Sequence, residues 1–237
     1  PVASVRGWEG DYEGLVVPTA EGSDSALGYG MVNLKVTGAG RFSGLVRVSG
    51  KMFSVLGGFG SDGRGLFGKS ESPQIVLRRS NEPGLVFAFE MDPAGGGRIR
   101  GTLVEEGNAV QERVGTVVME RVFFDGKTTE RTLPDARFTV AVPSVAQSSG
   151  LKRSEFPRGS GVGTLAFTAR TGVGALAVTL ADGTSLALRC RFNERKEAVF
   201  YTALYQGGGQ FSGRMVWDET GADSDFANAS VKWHKPQ

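Results

Sequence analysis

The stretch GRFSGLVRV, residues 40–48, returns near the C-terminus as GQFSGRMVW, residues 209–217, with a looser copy, GRIRGTLVE, at 97–105. In the first copy Phe42, Val46 and Val48 alternate with Ser43, Leu45 and Arg47. A period of two is the signature of a β-strand with one face buried. Gly44 falls on the Phe42 side, where a strand glycine marks tight curvature or a close neighbour. In the shared pattern the first glycine closes a turn, the hydrophobic residue packs inward, and the second glycine lets the strand bend, as sheets that curl over their own edges require. A phosphate-cradling glycine loop needs a helix N-terminus after it, and the sequence offers none, so the repeat reads as architecture.

Working outward, the second half falls on the first at an offset of 133 residues without gaps: Gly30 on Gly163, Leu34 on Phe167, Gly50 on Gly183, Phe59 on Phe192, Phe67 on Phe200. LVFAFEMDPAGGGRIRGTLVE (85–105) matches AVFYTALYQGGGQFSGRMVW (198–217) in a different register, and YEGLVVP (12–18) pairs with FTVAVPS (138–144). The change of register predicts an extra hairpin in the first half, around GKSESPQIVLRRSNEPG (68–84). The chain therefore reads as one duplicated domain, repeat 1 over 8–124, a linker over 125–135 and repeat 2 over 136–235. MVNLKV places Val32, Leu34 and Val36 on one face and Met31, Asn33 and Lys35 on the other. The connectors TGAG, SGK, SDGRG, ADGT and QGGG are short and tolerant of positive φ, as hairpin turns demand. No dozen residues hold a 3.6-residue period with caps. The expectation is an all-β antiparallel meander of about seven strands per copy. Because an odd meander cannot close with every neighbour antiparallel, two copies sharing one large or flattened barrel are favoured over two small barrels in tandem.

Composition narrows the function classes. The 237 residues suffice for a sizeable core, and 40% hydrophobic with 22% charged residues is a globular balance. The 36 glycines are roughly twice the usual ~7% share, without collagen's triplet spacing. A net charge of +2, from 27 basic and 25 acidic side chains interspersed, argues against a nucleic-acid surface. One cysteine, Cys190, leaves no internal disulfide. No apolar run approaches the ~18 residues of a membrane helix. Short strands, 9% aromatics and the ending HKPQ argue against a membrane-embedded barrel as well. The start at Pro1 reads as a mature or excised segment.

The run GYGMVNLKVTGAGRFSGLVRVSGKMFSVLGGFGSDG, followed by ARFTVAVP, TLADGTSLAL, VFYTALYQGGGQFSGRMVW and VKWHKP, resembles a family of duplicated β-modules in large bacterial secreted or cell-surface proteins. That resemblance implies an extracellular or envelope location and an all-β fold, and brings no catalytic residues with it. Cys190 within a strand and the charged NERKE (193–197) depart from the family's pattern.

Few residues could carry chemistry. His234 is the single histidine, so catalytic triads and histidine zinc sites lack their parts. Cys190 alternates with Leu188 and Phe192 and reads as a small core residue. Glu9, Asp11 and Glu13 in WEGDYEG share a strand face beside Trp8 and Tyr12 and could flank a sugar as a hydrolytic pair, although a solvated face has the same pattern. Asp218, Asp223 and Asp225 in DETGADSDFANAS offer clustered oxygens to calcium, without the spacing of an EF-hand. Tyr201, Tyr205, Trp217 and Trp233 form either a sugar-stacking platform or core plugs, the apolar neighbours of both tryptophans favouring the core. PSVAQSSGLKRSEFPRGSG (143–161) is a variable loop of the kind that carries binding. The reading is a non-catalytic structural or recognition module of a larger surface protein. Its partners would be polysaccharide or neighbouring domains, with no cofactor beyond possible calcium. The rivals are a barrel holding a small ligand and a carboxylate enzyme acting on polysaccharide.

Overall fold

The computed structural model describes residues 7–19, 28–92, 97–107, 113–122, 135–143, 159–193, 195–218 and 226–235. The architecture is all-β and antiparallel. Nine strands, β1 (Gly10–Pro18), β2 (Gly30–Val36), β3 (Arg41–Val48), β4 (Lys51–Phe59), β5 (Gly65–Phe67), β6 (Ile75–Leu77), β7 (Leu85–Met91), β8 (Arg98–Glu105) and β9 (Arg113–Arg121), form one sheet in the order β5-β4-β3-β2-β1-β9-β8-β7-β6. The sheet curls until its ends nearly meet: Arg64 bridges Glu90 antiparallel, and the Met91 N–H donates to the Gly63 carbonyl at 2.9 Å.

Alternation decides which faces turn inward. Val32, Leu34 and Val36 of β2 and Phe42, Val46 and Val48 of β3 are buried, while Lys35 and Ser43 are exposed. Met31, expected on the outer face, is also buried. Val48 pairs with Lys51 across a two-residue turn, Ser49 and Gly50, with φ of +50° and +71°. Two successive positive φ values give the turn whose twist matches the strands it joins. The interior is packed with side chains: Phe42 lies edge-on to Phe59, Phe67 and Phe89 at centroid distances of 5.4, 5.4 and 4.9 Å. Tyr12, Phe87, Ile99, Leu103 and Met119 are fully buried in the same cluster.

Residues 68–84, expected to form a hairpin, instead hold the single short strand β6, which pairs with β7, while β5 just before them pairs with β4. Arg79 anchors the segment's return, Nε donating to the Pro83 carbonyl at 2.7 Å and Nη2 to Glu105 at 3.0 Å.

The later strands form two further sheets. β10 (Ala136–Val142), β11 (Gly161–Thr168), β12 (Val173–Thr179) and β13 (Ser185–Arg191) run in sequence order; β14 (Glu197–Leu204), β15 (Gly209–Trp217) and β16 (Phe226–His234) make a three-stranded sheet. A tight turn, Tyr205–Gly207, joins β14 to β15. The barrel expectation is thus met with a correction. All nine strands of the barrel-like sheet come from residues 10–121, and among the described residues no strand of the second half enters it. The sheet ends instead on the short β5 and β6, and the Arg64–Glu90 bridge brings its two sides together without strands of a second copy.

The chain divides into two compact units. One holds residues 1–122 with 201–213 and 232–236; the other holds 123–200 with 214–231. Most of the expected linker, residues 125–134, lies outside the described residues.

The strands β2–β4 and β11–β13 are both three-stranded meanders, with turns at Gly50 and Gly183 as expected. The gapless offset nevertheless fails in the middle strand. It keeps the inward face between β2 and β11, where Leu165, Phe167 and Ala169 are buried, and between Gly57 of β4 and Cys190 of β13. Yet the counterparts of Phe42 and Val46 are Ala175 and Thr179, both exposed; Leu176 and Val178 point inward instead. Turn length is the cause. Residues 37–41 separate the paired Val36 and Phe42, but only 169–172 separate Thr168 and Val173. Changing an odd loop to an even one moves the next strand to the other face, and the longer turn before β13 restores the phase.

Candidate functional site

The four aromatics read as either a sugar-stacking platform or core plugs separate into two settings. Trp217 is 7% exposed, with its ring 5.2 Å from Phe138, 5.5 Å from Phe167 and 6.1 Å from Phe192. It is a core residue of the second unit. Tyr201, Tyr205 and Trp233 belong to the first. Tyr201 is buried, which pushes its phenol above the usual tyrosine range; an opposing pull comes from the Gly50 N–H, which donates to its oxygen at 3.5 Å. Tyr205 and Trp233 are half-buried, joined by a 3.1 Å hydrogen bond from the indole N–H to the phenol oxygen, and the Lys235 ammonium lies 5.6 Å from the Tyr205 ring centre.

The acidic residues do not form the expected aromatic-flanked pair. Asp11 and Glu13 do share the outer face of β1, and Glu9 precedes the strand. Tyr12, however, is fully buried on the opposite side, its hydroxyl donating to the Trp8 carbonyl at 2.9 Å, and Trp8 packs on the core. Glu13 accepts from Asn33 Nδ2 at 2.9 Å, and Asn33 Oδ1 accepts from Arg47 at 2.5 Å. The acid is thereby engaged in a polar ladder across β1 to β3. Of the expected calcium ligands, Asp218 is half-buried just after β15, whereas Asp223 and Asp225 lie outside the described residues, as does most of the 143–161 loop. Among the described residues no group of three or more His, Cys, Asp or Glu side chains could hold a metal. Cys190 is a core thiol, its S–H directed at the Gly174 carbonyl at 3.6 Å, and His234 is half-buried.

A concave site not foreseen from the sequence lies on the outer face of β7, β8 and β9, with a volume of about 610 Å³. Register builds it. Ala88 pairs with Thr102 and Thr102 with Thr116, so three small side chains from adjacent strands form one row. Glu90, Arg100 and Val118 form the next row, extended by Arg64, which bridges Glu90. Pro73 and Gln74, from the connection between β5 and β6, supply a raised wall. Ser72 braces that wall, its hydroxyl donating to the Gln74 carbonyl at 2.8 Å. The floor is low because alanine and threonine stand where longer residues flank them. The inward residues of the same strands, Phe87, Phe89, Leu103 and Val117, are locked in the core and make the platform rigid.

The charges at the groove are held from outside it. Arg100 Nε lies 2.6 Å from Asp92, and Arg64 Nε lies 3.7 Å from Asp62, whose other carboxylate oxygen accepts the Arg64 backbone N–H at 3.1 Å. The lining thus combines two threonines, one glutamate, two arginines and a glutamine with Ala88 and the exposed Val118. The arrangement can donate and accept hydrogen bonds while covering a small apolar surface.

Comparison with known proteins returned no match: no family model, curated protein or solved structure is significantly similar to this chain. The likeness to duplicated surface modules rests on the quoted residues alone.

Proposed function

We propose that the protein is a non-catalytic recognition module of a bacterial secreted or surface protein, and that the groove on β7–β9 binds a hydroxyl-rich chain such as an oligosaccharide. The observation that carries this reading is the paired row Ala88–Thr102–Thr116 beside Glu90–Arg100–Val118, a concavity lined by donors, acceptors and small apolar groups. Saccharides present that same mixture of hydroxyls and C–H faces. A calyx-like barrel is less favoured, because Phe42, Phe59, Phe67, Phe87 and Phe89 occupy the interior as a contiguous aromatic array. The common three-strand order of β2–β4 and β11–β13 supports an origin by duplication, which suits a module built for display.

A glycan array probed with the full chain, followed by titration of the best ligand, tests the reading. Thr102→Val together with Thr116→Val keeps side-chain volume while removing both hydroxyls, and is expected to weaken binding about ten-fold or more. A variant that binds as the wild type does, with the same melting temperature, would place recognition elsewhere.

A further inference from the structure

We infer that the outer edge of β10 is a self-association surface, and that its occupant is the β10 strand of a second copy of this chain, paired antiparallel about Thr139. The inference does not depend on the groove. In the sequence β10 falls on β1, with Phe138 on Tyr12, Val140 on Gly14 and Val142 on Val16. The two strands meet different settings. β1 is hydrogen-bonded to β2 on one side and to β9 on the other, and Tyr12, Gly14 and Val16 are buried. β10 is hydrogen-bonded to β11 and, among the described residues, to no strand on its other side. Its inward residues Phe138, Val140 and Val142 are only half-buried. β16, which takes the place of β9 in the strand order, stands at the end of a separate sheet.

Sheet edges are ordinarily blunted by shortness, proline, lysine or a charge turned inward. The first sheet ends on β5 and β6, with three residues each. At the far end of the β10 sheet, β13 is carried on toward β14 by the Phe192–Ala198 bridge. β10 has none of these devices. It is seven residues long, keeps an unbroken register with β11, and contains neither proline nor lysine. Its one charged residue, Arg137, is exposed. Such an edge is a template for a further strand. The sequence of β10 complements itself. A pair centred on Thr139 sets Ala136 opposite Val142, Phe138 opposite Val140 and Arg137 opposite Ala141. The apolar residues of both copies then lie on one face of a continuous sheet, whereas a shift of one residue would turn one set to the wrong side. Each Arg137 meets an alanine, so no like charges stand opposite each other. Both copies use the same residues, and the pairing closes at two.

The test is sedimentation equilibrium and deuterium exchange of the full chain over a concentration series, on wild type and on charge variants at the exposed Ala141. A weak monomer–dimer equilibrium is expected, with Kd on the order of 10 µM, and exchange of the 136–142 amides should slow as concentration rises. Ala141→Lys sets an ammonium group against Arg137 of the second copy at both ends of the pair, and should weaken the dimer about two- to thirty-fold. Ala141→Glu should tighten it by a similar factor, and added salt should shrink both effects. Arg137→Glu combined with Ala141→Lys should restore tight pairing. None of these changes should move the melting temperature of the dilute monomer. A chain that stays monomeric with the 136–142 amides protected would mean that its own residues cover the edge, and the proposal falls. A monomer with those amides unprotected overturns it too, leaving the edge to a strand from another protein. A dimer indifferent to the charge at position 141 would place the interface elsewhere.

Discussion

Trp217 and Trp233 look alike in the sequence, each the last apolar residue of an alternating run, and the structure gives them different work. Trp217 meets three phenylalanine rings and is almost without solvent contact. Its removal would leave a cavity that the surrounding strands cannot fill. Trp217→Ala is expected to cost about 3–5 kcal/mol, a large share of a typical ~5–15 kcal/mol stability. Trp233 is half-buried, and its distinctive contact is the hydrogen bond to Tyr205. Trp233→Phe keeps an aromatic ring and loses that bond, for about 0.5–1.5 kcal/mol. Urea unfolding of the two variants should therefore rank them clearly. Equal losses would mean that Trp217 does not anchor the core described here. Alternation alone supplies the inward direction of both side chains; the depth of burial comes from what lies across from them, which a single strand does not reveal.

The strand β3 shows how far a local pattern can be trusted. Gly44 was legible as a close-approach glycine because it interrupts the inward face between Phe42 and Val46. A side-chain carbon built there would lie 2.1 Å from the Asn33 carbonyl oxygen and 2.7 Å from Leu34 Cδ2. Backbone cannot yield as a flexible side chain can, so Gly44→Ala is expected to destabilise by about 1–3 kcal/mol. Thermal unfolding measures the loss, and hydrogen exchange should quicken first along the β2–β3 ladder; an unchanged melting temperature would refute the close approach. The same alternation that identified β3 also identified β12, but not its correct face, since that depends on the parity of a turn whose length no periodicity encodes. The groove was hidden for a related reason. Ala88, Thr102 and Thr116 each look like an ordinary outward residue of a solvated strand. They become neighbours only through the pairings of β7 with β8 and β8 with β9, and the Pro73–Gln74 wall comes from an insertion recognised as extra but not as functional.

Closure of the first sheet changes what the chain must contain to fold. If strands from both halves had shared one barrel, neither half could bury its edges alone. Instead, residues 10–121 carry every strand of the nine-stranded sheet, and its two ends are the short β5 and β6, whose three residues each offer little template for unwanted pairing. The same compact unit nonetheless includes 201–213 and 232–236. At the β3–β4 turn the approach is tight: a side-chain carbon on Gly50 would lie 2.5 Å from the Gly207 Cα, and Tyr201 accepts the Gly50 N–H. A fragment of residues 1–122 would keep the aromatic core and lose this cover at the turn. It is expected to be monomeric and to melt cooperatively, at a lower temperature than the full chain. In the full chain, Gly50→Ala should reproduce part of that loss, because φ is +71° there and Gly207 leaves no room. Calorimetry and sedimentation of the fragment decide the matter. A fragment that is unfolded or aggregates would mean that 201–213 completes the core of the barrel, and that closure by β5 and β6 is insufficient by itself.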